Sequence, residues 1–332
     1  MHRLSRFAAA AAPLAAVAAA FRLTPWPSAL LIRAGFRKGA MQLAAIMARH
    51  VPVEGVSAHR ELSFAAPGGS GTLDLFLPPP AGRPAPLVVW IHGGAWLSGS
   101  SNDVEPYLRI LAASGFAAAG VNYPVSPRAV YPQAVNELAA ALEFLQANGA
   151  ELGTDPRRIV LAGDSAGAQL AAQLAVLTTN PAYARRTGLT SPLKPDQLRG
   201  VILHCGVYDV PALASLRGIL GWGFKTALWS YSGKRDWSGT AAGRDMSVMY
   251  DADAGFPPAF ITGGNGDSLT ASQSVPLAAR LSQLDVQVRT RFWPADHQPA
   301  LPHEYQFHLN RPEARETLDE TLEFLHEVCA EA

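Results

Sequence analysis

The 332-residue sequence predicts an α/β fold in which a mostly parallel sheet is flanked by helices. Short runs rich in Val, Ile, Leu and Phe recur along the chain, each bounded by turn residues. They do not alternate between apolar and polar residues, which is typical of strands buried on both faces. Segments with apolar residues at helical spacing lie between several of these runs, as expected for crossover helices.

Eight strands are predicted. Six apolar runs give the core strands, at 85–92, 116–123, 157–163, 199–205, 257–263 and 286–293. Two earlier segments, 61–67 and 71–78, are joined by PGGSG and predict an antiparallel hairpin at the sheet edge. The segments at 132–147 and 312–328 have helical periodicity and start at or next to proline.

Composition indicates one domain, over residues 23–332. Lys plus Arg and Asp plus Glu both total 27, so the basic excess of a nucleic-acid-binding protein is missing and no nucleic-acid partner is expected. No repeat or linker divides the chain. Of the two cysteines, Cys205 lies in an apolar run and is predicted to be a buried thiol, without a disulfide to Cys329.

The N-terminal segment, residues 1–22, allows two interpretations. Arg3 and Arg6 precede fifteen mostly-alanine residues, which are short and weakly apolar for a spanning helix. A basic start followed by small residues fits a secretory signal or membrane attachment. The alternative is an Ala-rich extension on a cytoplasmic protein, which the sequence slightly favours. No membrane span is expected after residue 22.

Ser165 lies in the segment GDSAG, between the strand at 157–163 and a helical segment. So tight a reversal strains its central residue and requires glycine on both sides, here Gly163 and Gly167. It lifts the Ser165 hydroxyl above the sheet at a helix N-terminus, where free N–H groups favour negative charge. Ser165 is therefore the predicted nucleophile, and a serine that merely caps the helix is the alternative.

The segment HGGAW, residues 92–96, follows the first core strand. Its small residues allow the backbone N–H groups of Gly93 and Gly94 to approach a substrate oxygen, together with the N–H of Ala166. Donors held in advance at a developing oxyanion contribute about 3 kcal/mol each. We predict an oxyanion hole here. The alternative is an ordinary tight turn.

An acid and a base are also expected. Asp267 follows the strand at 257–263 and should emerge at the same sheet edge as Ser165. Asp164 and Asp209 are weaker candidates for the acid. His297 and His303 both follow the last strand, and their positions alone leave the choice of base open.

With these residues, the chain resembles the α/β-hydrolase superfamily, specifically the hormone-sensitive-lipase-like esterases, from about residue 55 to its end. HGGAW is similar to that family's HGGG block, with Ala95 replacing the third glycine. The segments at 122–145, 155–172 and 256–269 are similar to the family's blocks before its first long helix, around its nucleophile and around its acid. The order Ser, Asp, His is also that of the superfamily.

The resemblance bears on the histidine and the pocket. Ungapped spacing from Asp267 favours His297, whereas LPHEYQF has the family's Pro-His-x-aromatic texture and its distance before the closing helix. We therefore expect His303 as the base, with His297 as second choice. The family also implies a small helical cap, at about 25–55 and 210–245. The expected pocket wall residues are Trp96, Trp222, Phe224 and Trp229.

The expected function is that of a serine carboxylesterase acting on small to medium apolar esters through an acyl-enzyme. No cofactor is needed, and HEYQFH spaces its histidines wrongly for a zinc protease helix, so no metal site is expected. The alternatives are an amidase or formamidase of the same fold and a non-catalytic ligand-binding homologue. The only expected partner is a small-molecule ester, and the sequence leaves a homodimer open.

Overall fold

The computed structural model of this chain describes residues 16–53 and 55–330. Its eight strands are β1 (Ser57–Ala66), β2 (Gly69–Leu77), β3 (Ala85–Ile91), β4 (Ala117–Asn122), β5 (Thr154–Asp164), β6 (Leu198–His204), β7 (Ala259–Gly263) and β8 (Val288–Phe292). They form one sheet in the order β1-β2-β4-β3-β5-β6-β7-β8. The pairs β1–β2 and β2–β4 are antiparallel, and every other pair is parallel. The predicted eight-stranded, mostly parallel sheet is confirmed.

The edge hairpin is present, but its turn differs from the expected one. Ala66 pairs with Gly69, so only Pro67 and Gly68 connect β1 to β2, and the segment 69–71 belongs to β2. Gly69 has φ +127°, which glycine adopts without a Cβ clash. A two-residue connection is a favoured way to join antiparallel strands, and it extends the strand pairing toward the turn.

Helices follow most of the strands. They are α1 (Trp26–Ala48), α2 (Ser101–Ala113), α3 (Gln133–Ala147), α4 (Gly149–Leu152), α5 (Ala166–Thr179), α6 (Pro181–Thr187), α7 (Gly218–Ser232), α8 (Ala241–Asp245), α9 (Val275–Gln283) and α10 (Pro312–Val328). Residues 16–23 are also helical. Among the described residues, no helix is both long and apolar enough to cross a membrane.

The core lies on both faces of the sheet, because successive residues of a strand point to opposite sides. Leu87 and Val89 of β3 pack with residues of α3 and α5, whereas Val88 and Trp90 pack with residues of α2 and α10. Burial on both faces explains why the core strands are apolar without alternation. Only the strand ends are then free to carry polar side chains with a chemical role.

The carboxyl ends of β3, β5, β6, β7 and β8 lie at one edge of the sheet because these strands are parallel. In open α/β sheets, ligands bind beyond this edge. The segments that leave these ends include those that carry Ser165, Asp267 and both candidate histidines.

Candidate active site

Ser165 is the single residue between β5 and α5, and its backbone has φ 53° and ψ −117°. A side chain other than glycine rarely adopts a positive φ, and such strain is concentrated at functional sites. The Ser165 N–H donates to the His204 carbonyl at 2.8 Å, which continues the β5–β6 ladder to the reversal. The strained turn therefore holds the Ser165 hydroxyl at the N-terminus of α5.

Two glycines make this turn possible. A Cβ on Gly163 would lie 2.5 Å from the Gly167 carbonyl carbon, and a Cβ on Gly167 would overlap the Ile91 carbonyl oxygen at the end of β3. Contacts this close involve backbone atoms, which cannot rotate away as a flexible side chain could. The glycines that the sequence analysis associated with Ser165 are therefore required sterically.

Replacing Gly167 by alanine is expected to lower the free energy of unfolding by about 2 kcal/mol or more, because the new methyl group meets the β3 backbone. The measurement is urea unfolding followed by tryptophan fluorescence. Gly35→Ala is the matched control, since nothing lies within 4 Å of a Cβ there and alanine favours helix α1 by up to about 1 kcal/mol. Equal stability of G167A and the parent would contradict the steric account.

Asp267, His303 and Ser165 form a continuous chain of hydrogen bonds. His303 Nδ1 lies 2.7 Å from Asp267 Oδ2, and His303 Nε2 lies 2.9 Å from Ser165 Oγ. The Asp267 side chain is 4% exposed, and its Oδ1 accepts the Leu269 N–H at 2.9 Å. A buried carboxylate on Nδ1 leaves Nε2 free to accept the serine proton. The chain thus has the geometry of an activated nucleophile.

Asn265 joins the segments that carry Asp267 and His303. Its side-chain oxygen accepts the Leu301 N–H at 2.8 Å, and its side-chain nitrogen donates to the His297 carbonyl at 2.9 Å. The Gly266 N–H adds a bond to the Leu301 carbonyl at 2.9 Å. No sequence motif indicated a role for Asn265. Its position in the turn GGNGD was the available signal, but the partners lie more than thirty residues away.

His297 occupies a different environment from His303. Its Nε2 lies 3.0 Å from Glu313 Oε1 at the start of α10, and its ring packs against Trp293. The two acidic alternatives are also engaged elsewhere. Trp90 Nε1 donates to Asp164 Oδ1 at 2.8 Å, and the Tyr250 hydroxyl donates to Asp209 Oδ2 at 2.6 Å. Of these candidates, only Asp267 and His303 are linked to Ser165.

Gly93 departs from its expected role. Its backbone N–H is directed at the carboxyl group of Asp164, which lies against the Gly93 backbone. Burial raises the pKa of Asp164 well above its usual value, and contact with Glu304 raises it further, while the Trp90 and Gly93 N–H groups act in the opposite direction. The Gly93 N–H therefore serves this buried carboxyl group rather than a substrate oxygen. No motif indicated that Asp164 would turn toward β3.

The next two N–H groups of this turn point elsewhere. In a trans peptide, the C=O and N–H point in opposite directions. His92 Nδ1 donates to the Gly93 carbonyl at 2.8 Å, and burial lowers the His92 pKa to about 4, so this ring is neutral near pH 7. The N–H groups of Leu97 and Ser98 both reach the Gly94 carbonyl. Because these contacts fix the carbonyls of Gly93 and Gly94, the N–H groups of Gly94 and Ala95 point in the opposite direction, away from His92, Leu97 and Ser98. Both residues line the cavity together with Ser165.

A cavity of about 800 Å³ opens above Ser165. Its apolar wall comes from α1 and α7 and includes Ile32, Phe36, Leu220, Trp222 and Phe224. Two of the expected wall residues, Trp222 and Phe224, thus line this cavity. Arg33 of α1 ties this wall to the body by donating to the carbonyls of Leu97 and Ser126, both at 2.8 Å.

Trp96 and Trp229, also expected as wall residues, do not line this cavity. Trp96 has φ 57°, which turns its ring into the core, where it stacks on Tyr231 and donates to Gln169 Oε1 at 3.1 Å. Trp229 packs against core residues and lies under the Arg235 guanidinium. The aromatic residues of the sequence predicted a cavity wall. The backbone torsion at Trp96 and the side of α7 on which Trp229 lies exclude these two rings from it.

Cys205 is a buried, free cysteine beside this chain of hydrogen bonds. Cys329, near the C-terminus, is also buried and free. The predicted burial is confirmed. The Cys205 sulfur, an Asp267 oxygen and a His303 nitrogen all lie within 4.8 Å of one another. Because β6 lies between β5 and β7, the residue after β6 reaches the middle of the site. Both ring nitrogens of His303 are already engaged by Asp267 and Ser165.

Two environmental effects act on the His303 imidazole. Burial acts to lower its pKa, and the hydrogen-bonded Asp267 carboxylate opposes burial and raises the pKa. Burial also raises the pKa of the Cys205 thiol. A site that favours imidazolium next to a buried carboxylate stabilises the charge that appears when histidine accepts a proton.

The sequence and the fold of this chain are both similar to those of known proteins. The model of the BD-FAE family matches residues 73–281, more than half of the chain. The chain belongs to the BD-FAE family. This BD-FAE member is 38% identical over 104 residues to the carboxylesterase NlhH of Mycobacterium tuberculosis, covering 31% of this chain and 33% of NlhH. It is 33% identical over 113 residues to an acetyl esterase of Salmonella schwarzengrund, covering 34% of each.

Among solved structures, the BD-FAE chain is similar to esterase B of Lactobacillus rhamnosis. The TM-score is 0.76 at 27% identity, covering 91% of this chain and 96% of the other. The resemblance to α/β-hydrolase esterases and the predicted α/β-hydrolase fold are both confirmed. The chain spans about a third of the length of the curated relatives it matches.

Proposed function

We propose that this protein is a serine carboxylesterase that hydrolyses small to medium apolar esters through an acyl-enzyme on Ser165. The observation that carries the proposal is the pair of distances, 2.7 and 2.9 Å, that link Asp267 through His303 to Ser165. The similarity to a carboxylesterase, an acetyl esterase and esterase B supports the same activity.

In the proposed first step, His303 Nε2 takes the Ser165 proton as Oγ attacks the ester carbonyl carbon. Asp267 holds the ring and stabilises the imidazolium that results. The tetrahedral intermediate collapses, the carbon–oxygen bond to the alcohol breaks, and His303 protonates the departing alkoxide. Water then attacks the acyl-enzyme with the same histidine as base, which releases the acid and restores Ser165.

The oxyanion formed in both steps requires N–H donors. We assign this role to Gly94 and Ala95 together with Ala166, and not to Gly93. Ala166 is the first residue of α5, whose N–H has no partner within the helix. Ala95 lies in the left-handed region, at φ 53°, where the turn directs its N–H away from the Gly94 carbonyl contacts. Each such donor is worth about 3 kcal/mol in the transition state.

The apolar wall favours apolar acyl or alcohol groups, because burial of apolar surface stabilises binding by about 25 cal/mol per Å². A cavity of about 800 Å³ accommodates small and medium esters, which is the substrate class proposed here.

The proposal is tested with an ester and an anilide that share one acyl group. We expect the purified chain to hydrolyse a short-chain p-nitrophenyl ester well above the buffer rate and the matched p-nitroanilide far more slowly. Release of p-nitrophenol or p-nitroaniline is the measurement. Faster hydrolysis of the anilide would instead indicate the amidase alternative. No turnover of either, with binding retained, would indicate a ligand-binding homologue.

A further inference from the structure

Helix α1 has apolar residues on the face that points away from the protein. Leu30, Leu31 and Met41 are 50%, 59% and 64% exposed, and Trp26 at the start of the helix is 39% exposed. The opposite face of α1 supplies Ile32 and Leu43 to the cavity. A surface helix normally carries polar residues on its outer face, so large apolar side chains exposed there indicate a second apolar environment.

The rim of the cavity adds to this surface. Ile219 and Trp222, at the start of α7, are 87% and 44% exposed, and Phe36 of α1 is 44% exposed. All three line the cavity, so the exposed apolar residues surround its opening. The segments that carry them are in contact, since Arg235 Nη1 donates to the Arg22 carbonyl at 3.2 Å. We call residues 16–53 and 210–235 together the cap face.

The charge of the cap face differs from that of the remaining chain. The cap face contains nine Lys and Arg residues, and its acidic neighbours in sequence are Glu54, Asp209 and Asp236, which adjoin the ends of its two segments. Because the chain has 27 of each kind, the remaining residues carry an acidic excess of nine. Arg33 is bound to backbone carbonyls, but the other eight cap-face cations are exposed: Arg22, Arg37, Lys38, Arg49, Arg217, Lys225, Lys234 and Arg235.

We propose that the cap face docks onto the surface of a bilayer that contains anionic phospholipids. Exposed apolar side chains interleaved with a large excess of cations are what an interfacial helix presents to headgroups and acyl chains. The acidic excess on the other residues orients the protein, because it is repelled by the same surface. A second copy of the chain is disfavoured as the occupant, since two cap faces would bring like charges together.

Docking in this orientation brings the opening of the cavity to the lipid surface. A substrate dissolved in the bilayer could then enter without crossing water, while a water-soluble substrate would gain nothing from docking. The inference concerns binding and is independent of the proposed esterase activity, which is measured separately on a soluble ester.

The test is co-sedimentation of the full chain with phosphatidylcholine vesicles prepared with and without phosphatidylglycerol. We expect binding to the anionic vesicles only, and weaker binding when NaCl rises from about 0.1 M to about 0.5 M, because salt shortens the range of the charge attraction. Lys38→Glu should weaken binding at least about fivefold. Leu30→Ser with Leu31→Ser should weaken it about tenfold. None of these three residues lines the cavity.

The matched control replaces Val275 by serine and Arg280 by glutamate on α9, outside the cap face. Val275 is 41% exposed and Arg280 is exposed, so this variant removes the same chemistry from another surface. It should bind vesicles as the parent does, and all variants should hydrolyse a soluble ester at the parent's rate. Equal binding by the cap-face and α9 variants would overturn the proposal. So would a dimer, seen by light scattering, that L30S/L31S converts to monomer.

Discussion

Ser165→Ala is expected to lower kcat/KM for a short-chain aryl ester by about 10⁴- to 10⁶-fold, the range found when the nucleophile of a serine hydrolase is removed. The loss follows from the 2.9 Å contact between Ser165 Oγ and His303 Nε2, because without the oxygen no acyl-enzyme forms. The measurement is initial release of p-nitrophenol at several substrate concentrations. Burst kinetics on the parent would report the acyl-enzyme directly.

Ser98→Ala is the matched control for this variant. Ser98 is 7% exposed and also lines the cavity, but its hydroxyl faces the Gly94 carbonyl at a long 3.4 Å. We expect S98A to retain activity within about tenfold of the parent, since no proton transfer passes through it. Activity of S165A within tenfold of the parent would show that Ser165 is not the nucleophile.

The second large effect is expected at the histidines. His303→Ala should lower kcat/KM by about four orders of magnitude or more, because Ser165 then lacks a base and the Asp267 carboxylate lacks its partner. His297→Ala should leave kcat/KM within a few-fold. His297 pairs with the buried Glu313 at the start of α10, so its loss should lower the free energy of unfolding by about 1 to 3 kcal/mol.

The two variants are compared in one ester assay, with urea unfolding as the measure of stability. Asp267→Asn provides a further check, since it preserves shape while removing the charge that orients the imidazole. The expected order of activity is H297A close to the parent, then D267N, then H303A. A collapse of activity in H297A with retention in H303A would reverse the assignment.

The elements of the fold follow closely from local sequence. Each core strand is an apolar run between turn residues, and both the segment at 132–147 and the closing helix at 312–328 start near proline as predicted. Burial on two faces imposes a composition that can be recognised without knowledge of the neighbours. The hairpin turn was placed less well, because PGGSG contains several turn residues and the pairing of Ala66 with Gly69 selects among them.

The site was predictable where one segment contains the whole constraint. Ser165 with Gly163 and Gly167 is such a segment, since the strand, the turn and the helix adjoin in sequence. Asp267 was favoured because parallel strands end at a common edge. Gly93 was misassigned because its N–H partner, the Asp164 carboxyl group, arrives from another strand. Asn265 was missed because its partners lie on a distant loop.

By itself the sequence determined the succession of strands and helices along the chain, the strained position of Ser165 and the apolar character of the core. Each of these depends on residues that are neighbours in sequence. Only the tertiary structure decided which histidine reaches Ser165, which N–H groups face the cavity and which tryptophans line it. Those outcomes depend on distances between residues far apart in the chain, and hydrogen bonds act only over about 3 Å. Sequence spacing does not encode distances at that scale.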